Sequence, residues 1–329
     1  MMSLLEQLVA AGYNEFHLQG GEPFIRSDIF EVLDFLEQHG VQFLVTTNSL
    51  LLNEEKIKKV LTYKRLSTFT ISLDGATKET HEALRGENTF ERTLEMIRLA
   101  VKWRAKLGSG IRLNINHAVS KINYKEIGEI FYLADRIGVD SVFILTISLL
   151  GNAAEHKDEL FLSEREELLA LQEGIAVLRK IDIARQIKGL RPLQFEVELF
   201  PYTWKCRLMK QSRRFTSKVT EHTCGAGVNT IYIGADGTIY PCEGTRVFLD
   251  MIEKEVGLYE KPNIRDYTIQ EAKQTESFRK ITDFLHDYDR IFKSIEPCNT
   301  CEHLGKCTIC PLFAKAHGVV KKCTEEVLT

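Results

Sequence analysis

The stretch Glu15-Phe16-His17-Leu18-Gln19-Gly20-Gly21-Glu22-Pro23 reads as a short strand running into a glycine pair. Ser27 to His39 follows as a helix, with Ile29, Val32, Leu33 and Leu36 on one face and Gly40 as its stop. The unit then repeats. Val41–Thr47 reads as a strand and Asn53–Leu61 as a helix capped by Asn53; Ser67–Leu73 is a strand and Thr89–Trp103 a helix. Ile111–Val119 and Tyr124–Ile137 form the next pair, and Ser141–Ile147 precedes a long helix opened by the capping box Ser163-x-x-Glu166 and running to Lys180. Mostly apolar strands alternating with amphipathic helices predict a parallel α/β sheet covered by helices, open or curled into a barrel. Such folds place their chemistry at the C-terminal strand ends.

Polar residues gather at five of those ends: Gly20-Gly21-Glu22, Thr46-Thr47-Asn48, Ser72 with Asp74-Gly75, Asn116-His117, and Gly151-Asn152. The glycine pair permits close backbone approach or positive φ, and Glu22 would set a carboxylate beside whatever the glycines admit, such as an ammonium group. An ordinary β-to-α turn accounts for the same residues. His117 has no metal-ligand companion at helical or turn spacing and reads as a structural histidine.

The 329 residues, too many for a disulfide-stapled miniprotein, are 44% hydrophobic and 27% charged, ordinary globular values, and the net charge of −3 argues against a general nucleic-acid binder. The length predicts two domains, divided at 200/201. The longest charge-free stretch, Gln38 to Asn53, is too short and too polar to cross a membrane, and Met1–Ala10 carries an acid where a signal peptide would carry a basic segment. The expected location is the cytoplasm. In that reducing compartment the eight cysteines are not expected to form disulfides, and all of them fall at or after Cys206.

Near Pro192 the pattern changes. Phe195, Val197 and Leu199 alternate, Pro201 follows, and Lys205 to Lys218 carries six basic residues and no acid, which reads as a solvated linker face. Cys224 precedes a strand-like run, Asn229–Gly234; Asp236-Gly237 is read as a two-residue hairpin turn, and Thr238–Tyr240 returns the chain to Pro241-Cys242. Then come Cys298-x2-Cys301-x5-Cys307-x2-Cys310-Pro311 and Cys323. The x2 spacings suit pairs of thiolates on one metal centre, iron–sulfur or zinc, and the closing Cys-Pro tilts the reading to iron–sulfur.

Taken together, Gly20-Gly21-Glu22-Pro23, the strand end Ile71-Ser72-Leu73-Asp74-Gly75, the pair Arg85-Gly86 and the cysteine framework resemble the radical S-adenosylmethionine enzymes with a C-terminal SPASM domain. The order Cys224-x12-Gly237-x4-Cys242, then Cys298-x2-Cys301-x5-Cys307, Cys310 and Cys323 follows that family's seven-cysteine signature, except that two residues rather than three separate Cys307 from Cys310. The resemblance implies a (β/α)6 barrel in residues 1–200, here incomplete and lacking its first strand, and an auxiliary-cluster domain in 201–329. Two auxiliary 4Fe–4S clusters are implied. One would take Cys224, Cys242 and Cys310, and the other Cys298, Cys301, Cys307 and Cys323; Cys206 is either the fourth ligand of the first or a buried free thiol.

The same resemblance implies that Gly20, Gly21 and Glu22 line the methionine amino group of S-adenosylmethionine, with Ser72 and Arg85 near its carboxylate or ribose. Glu243, directly after Cys242, matches a position near which some relatives carry a proton acceptor; a capping or solvent-facing Glu is the alternative. A peptide or protein substrate and an electron donor such as a flavodoxin or ferredoxin are implied partners. The family's Cys-x3-Cys-x2-Cys loop, which belongs upstream of the glycine pair, has no counterpart, because no cysteine precedes Cys206. The expectation is therefore a truncated member that oxidises or cross-links a side chain only in full-length form and is inactive by itself. The alternatives are a non-catalytic iron–sulfur scaffold or electron-transfer protein and a zinc-stabilised binding module.

Overall fold

The computed structural model describes residues 2–147, 152–197, 224–296, 298–300 and 310–317. Cys206, Cys301, Cys307, Cys323 and the basic run 205–218 lie outside the described residues. The chain forms two compact units, one of Asn14–Glu198 and one of the described residues of Met1–Tyr13 and Leu199–Thr329.

The first unit holds a six-stranded, all-parallel sheet in sequential order: β1 (Glu15–Leu18), β2 (Gln42–Thr47), β3 (Leu66–Ser72), β4 (Arg112–Val119), β5 (Ser141–Thr146) and β6 (Gln194–Val197). Sequential order with a crossover after every strand is the barrel-type arrangement, one of the two forms that the strand–helix alternation allows. The sheet has one strand more than the sequence reading counted. Gln194–Val197, taken there as a boundary, pairs in parallel with β5 at Ser141↔Gln194 through Ile144↔Val197.

With helix α1 (Met2–Ala10) belonging to the other unit, the crossovers are α2 (Ile29–Gln38), α3 (Glu54–Val60), α4 (Lys78–Arg85) and α5 (Phe90–Leu107), α6 (Ile127–Ile137), then the short α7 (Asn152–Glu155) and α8 (Lys157–Leu160) and the long α9 (Glu164–Ile187). Local chemistry starts them: Asn53 Oδ1 accepts from Lys56 N at 2.8 Å, and Ser163 and Glu166 close the expected capping box. Their apolar stripes bury Val32, Leu33 and Leu36 from α2, Ile57 and Val60 from α3, and Leu94 and Ile97 from α5, with Phe43, Val45, Phe69, Ile71, Leu113 and Ile115 of the sheet also buried. Each such side chain contributes about 1.5–3 kcal/mol of burial. Helix α4 was not expected, because its one buried residue is His81 and it offers no apolar stripe.

In the second unit α1 buries Leu4, Leu5 and Leu8. Strands β7 (Tyr232–Ile233) and β8 (Ile239–Tyr240) form an antiparallel pair in the register Tyr232↔Tyr240 and Ile233↔Ile239. The hairpin exists, but its connection spans residues 234–238 instead of two residues: Gly234 N donates to Thr238 O at 2.9 Å, and Asp236 accepts from Thr238 N at 3.0 Å and Thr238 Oγ1 at 2.9 Å. Those side-chain bonds hold the wider loop. A helix at Glu276–His286 buries Phe278, Ile281, Phe284 and Leu285, and His286 Nε2 donates to Ala226 O at 3.0 Å, fixing the segment just after Cys224.

Candidate functional site

The C-terminal strand ends of the first unit are tied together by two buried or half-buried carboxylates. Glu22, after β1, reaches the end of β2: its Oε1 accepts from Thr47 Oγ1 at 2.7 Å and Phe24 N at 3.1 Å, and its Oε2 from Asn48 N at 2.7 Å. Three donors already occupy the carboxylate, so Glu22 acts here as a clamp between two strand ends, and the glycines beside it form the open part of the turn. Gly20 has φ +125°, and a Cβ at Gly20 or Gly21 would meet no atom within 4 Å.

Asp74, after β3 and only 3% exposed, performs the same service for β4 and α4. Its Oδ1 accepts from Ala118 N at 2.8 Å and its Oδ2 from Arg85 Nε, while its backbone N donates to His81 Nδ1 at 3.1 Å. Helix α4 lies so close that a Cβ on Gly75 would stand 2.2 Å from His81 N, so only glycine fits. Among the described residues Arg85 hydrogen-bonds only to Asp74, and its side chain is 35% exposed. Its outer guanidinium edge is thus held at the strand-end surface.

Behind β3, His117 is fully buried and its Nδ1–H donates to Leu73 O at 2.9 Å; among the described residues its Nε2 has no partner. Burial holds the His117 imidazole below its ordinary range, with Asp74 pulling the other way, and His81 is depressed by burial in the same manner. Ser72, also buried, is the last residue of β3 and pairs in register with Asn116.

The face that carries Ser72 is polar along its length, which is unusual for a parallel sheet. His17 Nε2 and Thr46 Oγ1 are hydrogen-bonded at 3.0 Å across β1 and β2. Asn114 Nδ2 donates to Thr70 Oγ1 at 3.4 Å and to Asn116 Oδ1 at 3.0 Å, and Ser141 Oγ donates to Asn114 Oδ1 at 2.8 Å. The alternation Leu113-Asn114-Ile115-Asn116 was the sequence signal for this face: the apolar members are buried and the asparagines only half-buried.

In the second unit the hairpin returns the chain as expected, and Gly227 N donates to Pro241 O at 2.8 Å, joining the segments that carry Cys224 and Cys242. Burial raises the Cys224 thiol; a backbone N–H from Ala226 opposes the rise and the charge of nearby Cys242 adds to it. Tyr288 is pushed up to about 12, by burial first and then by the charge of Cys224, with Cys310 adding. Those couplings place Cys224, Cys242, Cys310 and Tyr288 in one neighbourhood. Cys242 Sγ lies 3.3 Å from Thr245 Oγ1, and Cys298 is buried at the start of a short 3₁₀ turn, Cys298–Thr300. Glu243 is exposed in the first turn of the five-residue helix Glu243–Val247, where a carboxylate favours the helix dipole.

Thiols as the donor set suit a soft metal or an iron–sulfur centre, and the raised, half-buried Cys224 thiol needs a bound cation to favour its thiolate. Among the described residues no three His, Cys, Asp or Glu side chains already close around a common point. The first-unit turn fits a ligand with space before Gly20 and Gly21 and a guanidinium edge at Arg85. No helix among the described residues is long and apolar enough to cross a membrane.

Residues 1–111 match the radical SAM superfamily and residues 224–302 match SPASM, an iron-sulfur cluster-binding domain. The AdoMet-dependent heme synthase of Methanosarcina barkeri is 25% identical over 323 residues, covering 95% of this chain and 81% of the relative. A probable GTP 3′,8-cyclase of Saccharolobus islandicus is 29% identical over 184 residues, 55% of each chain, so this chain matches about half of that relative. In fold, SuiB of Streptococcus suis bound to S-adenosylmethionine superposes with a TM-score of 0.62 at 17% identity, over 92% of this chain and 63% of SuiB. Native anSMEcpe with bound AdoMet and the Kp18Cys peptide gives 0.63 at 20% identity, over 94% of this chain and 80% of that one. With the radical SAM match, the SPASM match and the strand-end architecture in agreement, the chain belongs to the radical SAM proteins that carry a SPASM domain.

Proposed function

We propose that this chain supplies the S-adenosylmethionine-binding strand ends and the auxiliary clusters of an enzyme that modifies a side chain of a peptide or protein. The observation that carries the reading is that the C-terminal end of β1 holds the open Gly20-Gly21 turn and the end of β3 holds the Asp74-bound Arg85, in a chain whose cysteines all fall at or after Cys206. Gly20, Gly21, Ser72 and Arg85 would hold the amino-acid end of S-adenosylmethionine, and Glu22 would keep their turn in place. Cys224, Cys242 and Cys310, with Cys206, would hold one 4Fe–4S cluster and Cys298, Cys301, Cys307 and Cys323 the other. When bound, these groups supply one-electron chemistry. Glu243 is proposed as a proton acceptor beside Cys242, and a flavodoxin or ferredoxin as the electron donor. The residues 1–200 and 201–329 are proposed as the functional division, in the cytoplasm.

Support for a peptide substrate comes from the fold neighbours, whose structures include SuiB with the precursor peptide SuiA and anSMEcpe with the Cp18Cys peptide. The heme synthase likeness, which spans nearly the whole chain, favours a second reading in which the substrate is a heme precursor.

Because no cysteine precedes Cys206, residues 1–205 hold no Cys-x3-Cys-x2-Cys loop, and this polypeptide is proposed to be inactive by itself. The test is 5′-deoxyadenosine formation by the reconstituted chain with S-adenosylmethionine and dithionite, alone and after a strand and Cys-x3-Cys-x2-Cys loop from a relative are joined to its N-terminus. No product from the first and product from the second is expected, with hydrogen loss from a peptide but not from a porphyrin. Product from the unaltered chain would overturn the inactivity, and turnover with the porphyrin alone would favour the second reading.

A further inference from the structure

We infer that Asn116 is a specificity residue which, with Ser72, donates hydrogen bonds to an acceptor oxygen, a carbonyl or carboxylate, of the ligand lying on the polar face of the sheet. Asn114 is fully committed. Both of its N–H groups are spent, on Thr70 Oγ1 and on Asn116 Oδ1, and its oxygen accepts from Ser141 Oγ. Asn116 therefore uses its oxygen inside the ladder and keeps its Nδ2 uncommitted; among the described residues that nitrogen has no hydrogen-bond partner, and neither does Ser72 Oγ.

Ser72 and Asn116 are register partners on adjacent parallel strands, and Leu73 N donates to Asn116 O at 2.8 Å, so the two side chains are held side by side at the C-terminal end of the sheet. Two neighbouring donors without partners, on a rigid pair of strands, suit an oxygen that accepts two hydrogen bonds. Ser141 and Asn114 act through Asn116 as positioning residues. Hydroxyls can donate or accept, so the relay Ser141–Asn114–Asn116 has a direction, and the opposite direction would present an oxygen instead. The observed direction presents the donor. This inference rests on the strand ends being the ligand site of the proposed function but not on the chemistry performed there.

The acceptor oxygen can belong to the amino-acid carboxylate of S-adenosylmethionine or to a peptide carbonyl of the substrate, and one experiment separates the sources. The side-chain amide signals of Asn116 in the full 329-residue chain, identified by their loss in Asn116→Asp, are followed by NMR during titration with S-adenosylhomocysteine and, separately, with N-acetylglycine N-methylamide. A saturable shift with the first assigns the carboxylate, and with the second the peptide carbonyl. Asn116→Asp, which keeps the acceptor oxygen for Asn114 but removes the donors, is expected to weaken the effective probe about tenfold or more. Ser141→Ala is expected to weaken it about threefold in a chain that stays folded at the titration temperature, and Ser141→Thr to restore it. No saturable shift with either probe, or undiminished binding by Asn116→Asp, overturns the inference. A shift in a chain that fails the deoxyadenosine test leaves this site standing and removes only the radical chemistry.

Discussion

Asp74 and Arg85 are joined across the end of β3, Arg85 Nε donating to Asp74 Oδ2 while Asp74 Oδ1 accepts from Ala118 N at 2.8 Å. One nearly buried carboxylate thus sets both the end of β4 and the direction of a half-exposed guanidinium. Asp74→Asn keeps the shape but offers Ala118 N and Arg85 one oxygen between them, and an amide that cannot accept on its other side. The expected cost is about 2 kcal/mol, moderated by the exposure of Arg85. Urea unfolding measures it, and an unchanged midpoint would show that the pair is incidental.

The Glu22 clamp makes a local prediction. Glu22→Gln replaces one acceptor oxygen with a donor, so it cannot serve Thr47 Oγ1, Phe24 N and Asn48 N together. Loss of about 1–3 kcal/mol is expected, concentrated at the ends of β1 and β2. Amide hydrogen exchange should accelerate at Asn48 and leave the middle of β4 unchanged.

Cysteine replacement should sort the thiols into two groups. Cys224→Ser, Cys242→Ser and Cys310→Ser are each expected to remove about four iron per chain from the same cluster, and Cys298→Ser about four from the other, since each 4Fe–4S cluster takes four thiolates. A Cys224→Ser/Cys242→Ser double variant should lose no more iron than either single one. Additive loss would show that the two serve different clusters.

The buried histidines predict acid sensitivity. His117 and His81 have folded pKa values below their ordinary value, set by burial, with Asp74 pulling upward on both and Arg85 downward; Glu126 faces His117 and Glu82 faces His81. The unfolded chain then binds protons that the folded one refuses, so stability is fully present above about pH 6.5 and falls as pH drops below it. Each histidine contributes a slope of up to about 1.4 kcal/mol per pH unit. His117→Gln should flatten the fall in urea midpoint between pH 7.5 and 5.5, and an unaltered slope would place the sensitivity elsewhere.

What the sequence revealed and concealed follows from how each element is stabilised. The strand–helix repeat was legible because the helices bury strong apolar stripes, as in Val32, Leu33 and Leu36. Helix α4 was invisible for the opposite reason, and β6 because Pro192 and the alternation Phe195-Glu196-Val197 suggest the end of a domain. Gly20, Gly21 and Ser72 could be located from turn chemistry and resemblance. Asp74 could be read only as a turn residue, because its pairing with Arg85 across 11 positions has no periodic signature. The asparagine ladder was hidden by the expectation that parallel strands are apolar on both faces.

The most direct test of the account is the metal content of the full chain after anaerobic reconstitution with iron and sulfide in the presence of competing zinc. Two clusters held by the eight thiols predict about eight iron and eight sulfide per chain, with an EPR signal on reduction. One or two zinc per chain, without iron and with no signal on reduction, would contradict it.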